Sequence, residues 1–141
     1  MKEDFLITIR GRIEQSGDTD SIELKTRGGF VRRNGSYFIT YKETQATGYV
    51  GCTTTVKVEG ENRVSMLRFG PAASQLIIEK GRRHVCHYET GHGALDLGIA
   101  AEDIDSRLTD EGGSVDFSYT LDVDTAMISR NIVNITVRPL S

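Results

Sequence analysis

The side chains best suited to chemistry lie in one short run, His84, Cys86 and His87, with His92 and Cys52 as further candidates if strand pairing brings them near. In an extended chain His84 and Cys86 share a face about 7 Å apart, at a rise of ~3.3 Å per residue, and His87 points the other way. One strand therefore offers a metal two ligands at most, and no paired spacing of the zinc-finger kind supplies the rest. Read as a nucleophile pair, the same residues need a depressed thiol pKa and an orienting third group, and the chain has no motif for either. We read them as a buried thiol among surface imidazoles, and assign no catalytic residue, metal or cofactor.

Other chemistry-bearing residues have equally plain readings. The carboxylate pairs Asp103 with Asp105 and Asp122 with Asp124 fall at strand ends or opposite apolar positions, as on a solvated face. Gly91-His92-Gly93 and Gly112-Gly113 lack the following helix that a phosphate-cradling loop needs, and read as turns. The basic pairs Arg32-Arg33 and Arg82-Arg83 are flanked by acidic residues, as in solvated turns, and a net charge of -3 argues against a nucleic-acid partner. Cys52 and Cys86 stand 34 positions apart with no second pair. Reduced thiols packed as small hydrophobes are expected, and a disulfide is not favoured. The charged start MKEDFLITIRGR has no apolar run of the length a signal peptide or membrane span needs, so a cytoplasmic protein without a membrane partner is expected.

The elements that must position these residues are strands. Apolar residues recur at every second position: Phe5, Ile7, Ile9, Gly11 and Ile13; Ile22, Leu24 and Thr26; Tyr37, Ile39 and Tyr41; Val50, Cys52, Thr54, Val56 and Val58; Val115, Phe117, Tyr119, Leu121 and Val123; Asn131, Val133, Ile135 and Val137. Asn34-Gly35 is the strongest hairpin signal, and Gly28-Gly29 inside a strand pattern points to a bend. Only Ala100 to Ser106 suggests a short helical turn. With 141 residues, 38% of them hydrophobic, one core and a single domain over 1–141 are expected. About ten extended segments joined by short hairpins would leave long free edges as a flat sheet, so the fold class is all-β, an antiparallel meander barrel of eight to ten strands.

The stretches SMLRFG (Ser65 to Gly70), YETGHGALDLGI (Tyr88 to Ile99), DEGG (Asp110 to Gly113) and SYTLDVDTAMISRN (Ser118 to Asn131) resemble the YwiB-like family of uncharacterised bacterial proteins. The resemblance covers nearly the whole chain. It implies a lipocalin-like (calycin) β-barrel and a bacterial cytoplasmic location, and it implies no activity. The family pattern usually has a proline after the threonine matching Thr90, where this chain has Gly91, so a different backbone is expected in that turn.

A small closed barrel either fills with its own side chains or holds one small ligand. Arg68 shares a face with Val64 and Met66, and Tyr119 with Phe117 and Leu121, which sets polar tips among apolar neighbours. We therefore expect a non-enzymatic barrel that binds a small hydrophobic or amphipathic molecule, with Arg68, Tyr41, Tyr88 and Tyr119 as polar contacts. The plainer reading sends Arg68 out to the barrel mouth and makes the tyrosines core residues with satisfied hydroxyls. Two other classes stay open: a filled barrel acting through its surface or edge strands, a homodimer included, and an enzyme built on Cys86 with His84 or His92.

Overall fold

Alternation of apolar and polar residues gives a chain whose strands can each bury one face, and the molecule uses it. The computed structural model describes residues 4–45, 49–71, 73–90, 93–123 and 126–140, with the side chains of all of these except 87–90 and 93–95. The strands are β1 (Phe5–Gln15), β2 (Asp18–Arg33), β3 (Ser36–Lys42), β4 (Thr53–Glu59), β5 (Arg63–Phe69), β6 (Ser74–Glu79), β7 (Arg83–Thr90), β8 (Gly93–Thr109), β9 (Gly112–Val123) and β10 (Ala126–Pro139). Each runs antiparallel to the next, and β1 pairs with β10, so the meander closes into a barrel. Closure satisfies the backbone that a flat sheet would leave as two open edges. Among the described residues the weakest seam is β6–β7, where Ser74↔Tyr88 is the one strand pair and an isolated bridge joins Glu79 to Arg82.

Local chemistry explains the turns and bends. Asn34 and Gly35 both have positive φ, 51° and 80°, as a two-residue turn of the I′ type requires. Gly28 stands where β2 pairs with Phe5 on one side and Tyr41 on the other. A Cβ there would collide with the Ile7 side chain and with the backbone carbonyl of Thr40, which has no freedom to move away. Gly28→Ala is therefore expected to destabilise the barrel by about 1–3 kcal/mol, the usual cost of overpacking, with unchanged sensitivity to urea. A urea midpoint equal to that of the parent would show that the strands can part there at no cost.

Two expectations are corrected. Ala100 to Ser106 is strand, not a helical turn: it lies inside β8, which carries a β-bulge between Ala101 and Asp103. Inward residues are Leu97, Ile99 and Ala101 before the bulge and Ile104 after it. The extra residue breaks the period of two and creates a three-residue spacing that imitates a helix. Val50 does not share the β4 face; it precedes the strand and is exposed, whereas Cys52, Thr54, Val56 and Val58 are buried in step.

The two ends of the barrel differ. Near the β2–β3, β4–β5 and β8–β9 turns the interior is filled by Ile7, Ile39, Val58, Val64, Ile78, Ile104, Val115 and Val137, all fully or almost fully buried. Phe30 adds an edge contact to Phe5 and a stacked contact to Tyr37, at ring-centroid distances of 5.3 and 5.4 Å. The other end, beneath the β1–β2 turn, is left open among the described residues.

Candidate functional site

The unfilled end holds a cavity of about 380 Å3, within the range of roughly 300–1,000 Å3 usual for small-molecule sites. Its walls are Ile9, Met66, Leu76, Leu97, Leu121 and Val133, and its lip includes the part-exposed Ile13, Ile22 and Ile128. Period-two alternation puts the six wall side chains inside, because each follows or precedes a core residue by two positions on its own strand. A second concavity, on the outer wall around Gly11, is bounded by Arg10 and Glu23, which pair with each other at 2.9 Å.

A polar row crosses this apolar interior. Register sets Tyr41 of β3 opposite Thr54 of β4, Thr54 opposite Arg68 of β5, Arg68 opposite Ser74 of β6, and Ser74 opposite Tyr88 of β7. Glu43, one residue past the end of β3, extends the same face, and its N–H donates to the Cys52 carbonyl at 2.9 Å. Thr54 Oγ1 donates to Glu43 Oε2 at 3.0 Å. Arg68 Nη1 donates to Ser74 Oγ at 3.2 Å, and Arg68 Nη2 lies 3.6 Å from Glu43 Oε2. The guanidinium also covers the Tyr49 ring at 3.7 Å. Two polar atoms of this group, Glu43 Oε1 and Arg68 Nε, are enclosed and have no hydrogen-bond partner among the described residues. Such atoms are rare in folded proteins because each forfeits its hydration without return. On the opposite wall Tyr119 stacks on Phe117, and Asn131 Nδ2 donates to Ser129 Oγ at 3.1 Å.

Three of the four expected contact residues, Arg68, Tyr41 and Tyr119, thus line one cavity. The backbone of Tyr88 continues the polar row, and its side chain lies outside the described residues. Glu43, Tyr49, Thr54 and Asn131 were not singled out from sequence. Glu43 carried a usable signal, since it continues the parity of Ile39 and Tyr41, and so did Asn131, which alternates with Val133.

The described candidates His84, Cys86 and Cys52 do not gather. His84 Nε2 contacts Glu79 Oε1 at 2.8 Å across the β6–β7 seam, Cys86 is buried among core residues, and Cys52 is buried beside Gly70. The His87 side chain and His92 lie outside the described residues, as do Gly91 and Asp124. Among the described residues no three His, Cys, Asp or Glu side chains converge as for a metal, and neither cysteine is in a disulfide. Asp103 is exposed, and Asp105 lies 3.4 Å from Arg107 on the outer wall. Asp122 corrects the expectation of a solvated carboxylate. Asp122 is buried, and Arg83 forks onto it from β7, with Nε 3.0 Å from Oδ2 and Nη2 on Oδ1. The bidentate geometry compensates the carboxylate for the water it loses.

Burial, and next the Glu43 charge, hold the Tyr41 phenol well above the ordinary tyrosine range. A folded pKa above the unfolded one means that the associated stability is whole below the unfolded value of about 10 and is lost as pH rises past it, by about 1.4 kcal/mol per pH unit. Tyr41→Phe is expected to flatten the alkaline fall in stability, read as urea midpoints between about pH 9 and pH 11. A variant that falls as steeply as the parent would contradict the placement of this hydroxyl.

A family model described as a domain of unknown function, DUF1934, matches residues 7–135. The chain is 28% identical over 125 residues to the uncharacterized beta-barrel protein YwiB of Bacillus subtilis (strain 168), covering 87% of this chain and 86% of that protein. The crystal structure of YwiB from Bacillus subtilis superposes with a TM-score of 0.84 over 97% of this chain and 92% of that one, at 23% identity, a likeness of fold.

Proposed function

The chain belongs to the DUF1934 family of unknown function, and from that premise we propose that it is a non-enzymatic binding barrel that holds one small amphipathic molecule in its interior. The observation that carries this reading is the cavity itself: apolar on most sides, open at one end, and crossed by a row of polar groups. A barrel that served only as a scaffold would gain by filling this space, because an unfilled interior forfeits dispersion contacts and transfer energy. The ligand's apolar body lies against Met66, Leu76, Leu121 and Val133, and its polar end meets Arg68, Tyr41 and Tyr119. The reading of a filled barrel acting through its surface has the cavity against it, and closure removes most of the edge that such a protein would offer.

Titration with 1-aminoanthracene, a small uncharged dye whose emission rises in apolar surroundings, tests the reading. One dye per chain with enhanced, blue-shifted emission is expected. A folded protein that leaves the emission unchanged would refute a binding cavity.

A further inference from the structure

Gly11 interrupts the inward face of β1, where Ile7 and Ile9 precede it and Ile13 follows, and the role given to it here rests on the cavity being a ligand site. A glycine inside a strand weakens it and leaves no side chain to pack, so its presence needs a reason. At Gly28 the reason is a collision with the Thr40 backbone. Gly11 has no such reason. Its φ is not positive, and a Cβ there would meet only the Ile22 side chain, 3.2 Å away at Cγ1. Ile22 stands at the lip of the cavity, part-exposed, with room to give way.

Register shows what this gap connects. Phe117, Val133, Gly11 and Ile22 stand in one cross-strand row that runs from a fully buried ring to the lip. Val133 is cavity wall, Ile22 is lip, and between them the row is bare backbone. Ile13, Ile22 and Ile128 line the cavity and yet stay 37%, 38% and 37% exposed. Ile13 follows Gly11 on its own face, and Ile22 is its partner on β2. Covering these side chains with an apolar group releases the water they hold. A strand glycine without a turn or a bulge is also where a ligand can approach the backbone closely. We infer that Gly11 sets the length of the ligand, which carries an unbranched hydrocarbon chain. The chain leaves the cavity past Val133, lies against the Gly11 backbone and ends over the isoleucine lip. A gap one side chain wide suits a row of methylenes better than a ring.

Displacement of bound 1-aminoanthracene from the full chain by 1-hexanol, 1-octanol, 1-decanol and 1-dodecanol traces this path, with the dye's own affinity measured for each variant. In the parent, affinity should climb to the longest alcohol, by up to about fourfold per methylene. Gly11→Val puts a strand-forming side chain into the gap. It is expected to bind 1-hexanol within about twofold of the parent and 1-dodecanol about tenfold or more weakly. Gly11→Ala, the smaller change, serves if the valine variant fails to fold, with 1-dodecanol about threefold weaker and 1-hexanol unchanged. Equal weakening at every chain length in a folded variant, or no weakening at all, would overturn the inference and leave the cavity reading standing. So would a parent whose affinity stops rising at 1-octanol. A parent that binds neither the dye nor any alcohol would overturn both.

Discussion

Val133→Trp is expected to abolish ligand retention and leave the barrel folded. Val133 sits on β10 between Gly11 of β1 and Phe117 of β9, and its side chain forms part of the cavity wall. An indole at this position projects into space that is otherwise open, so the enlargement meets less resistance than it would in the packed half, where added methylenes typically cost ~1–3 kcal/mol. Ligand affinity should fall by about a hundredfold or more, equivalent to roughly 3 kcal/mol, because the ring occupies the volume of the ligand's apolar body. Dye titration and thermal unfolding of the same preparation separate the two effects. Unchanged affinity in a folded variant would place the ligand elsewhere on the molecule.

Phe117→Ala should be among the most damaging single truncations, costing about 3–5 kcal/mol. Phe117 is 2% exposed and is the largest fully buried side chain. It pairs with Ile104 on one side and Val133 on the other, at the level where the packed half gives way to the cavity. Its ring also stacks on Tyr119 at 6.2 Å, so truncation removes the aromatic contact that holds one cavity residue in place. Collapse of neighbours into the gap is hindered, because the ladders to β8 and β10 run unbroken from this level to the β8–β9 turn. Against a typical total of 5–15 kcal/mol, the loss leaves the domain marginal at body temperature. Urea denaturation measures it, and a loss below about 1 kcal/mol would mean that the interior relaxes far more freely than a closed barrel should.

The fold was legible because hairpin-connected strands leave little freedom. Val115, Phe117 and Tyr119 alternate against Asp116, Ser118 and Thr120, and a period of two has one structural meaning. What could not be read was where the period breaks. The bulge at Ala101/Asp103 shifts the parity of β8 and disguises strand as helix, and the bulge at Met127/Ser129 turns Ile128 out to the lip of the cavity. Arg68, Tyr41 and Tyr119 were accessible as polar tips among apolar neighbours on their own strands. Their meeting was not, since the row Tyr41, Thr54, Arg68 and Ser74 is a property of the register between successive strands, which the pattern within each strand does not set. At Glu43 the parity competes with a general expectation: beyond the end of a strand, a glutamate ordinarily faces water. Its burial depends on Thr54 and Arg68, which local pattern does not bring near. Asp122 likewise looked solvated until Arg83 was found folded across β8 onto it.

Native mass spectrometry of the chain purified from its own host, compared before and after denaturation and alongside Val133→Trp, tests most directly whether this cavity is a ligand site. A single reproducible added mass is expected on the folded parent, lost on denaturation and absent from the variant. A bare polypeptide mass for the folded parent, under conditions that preserve non-covalent complexes, would contradict the binding reading and leave a barrel that works through its outer wall.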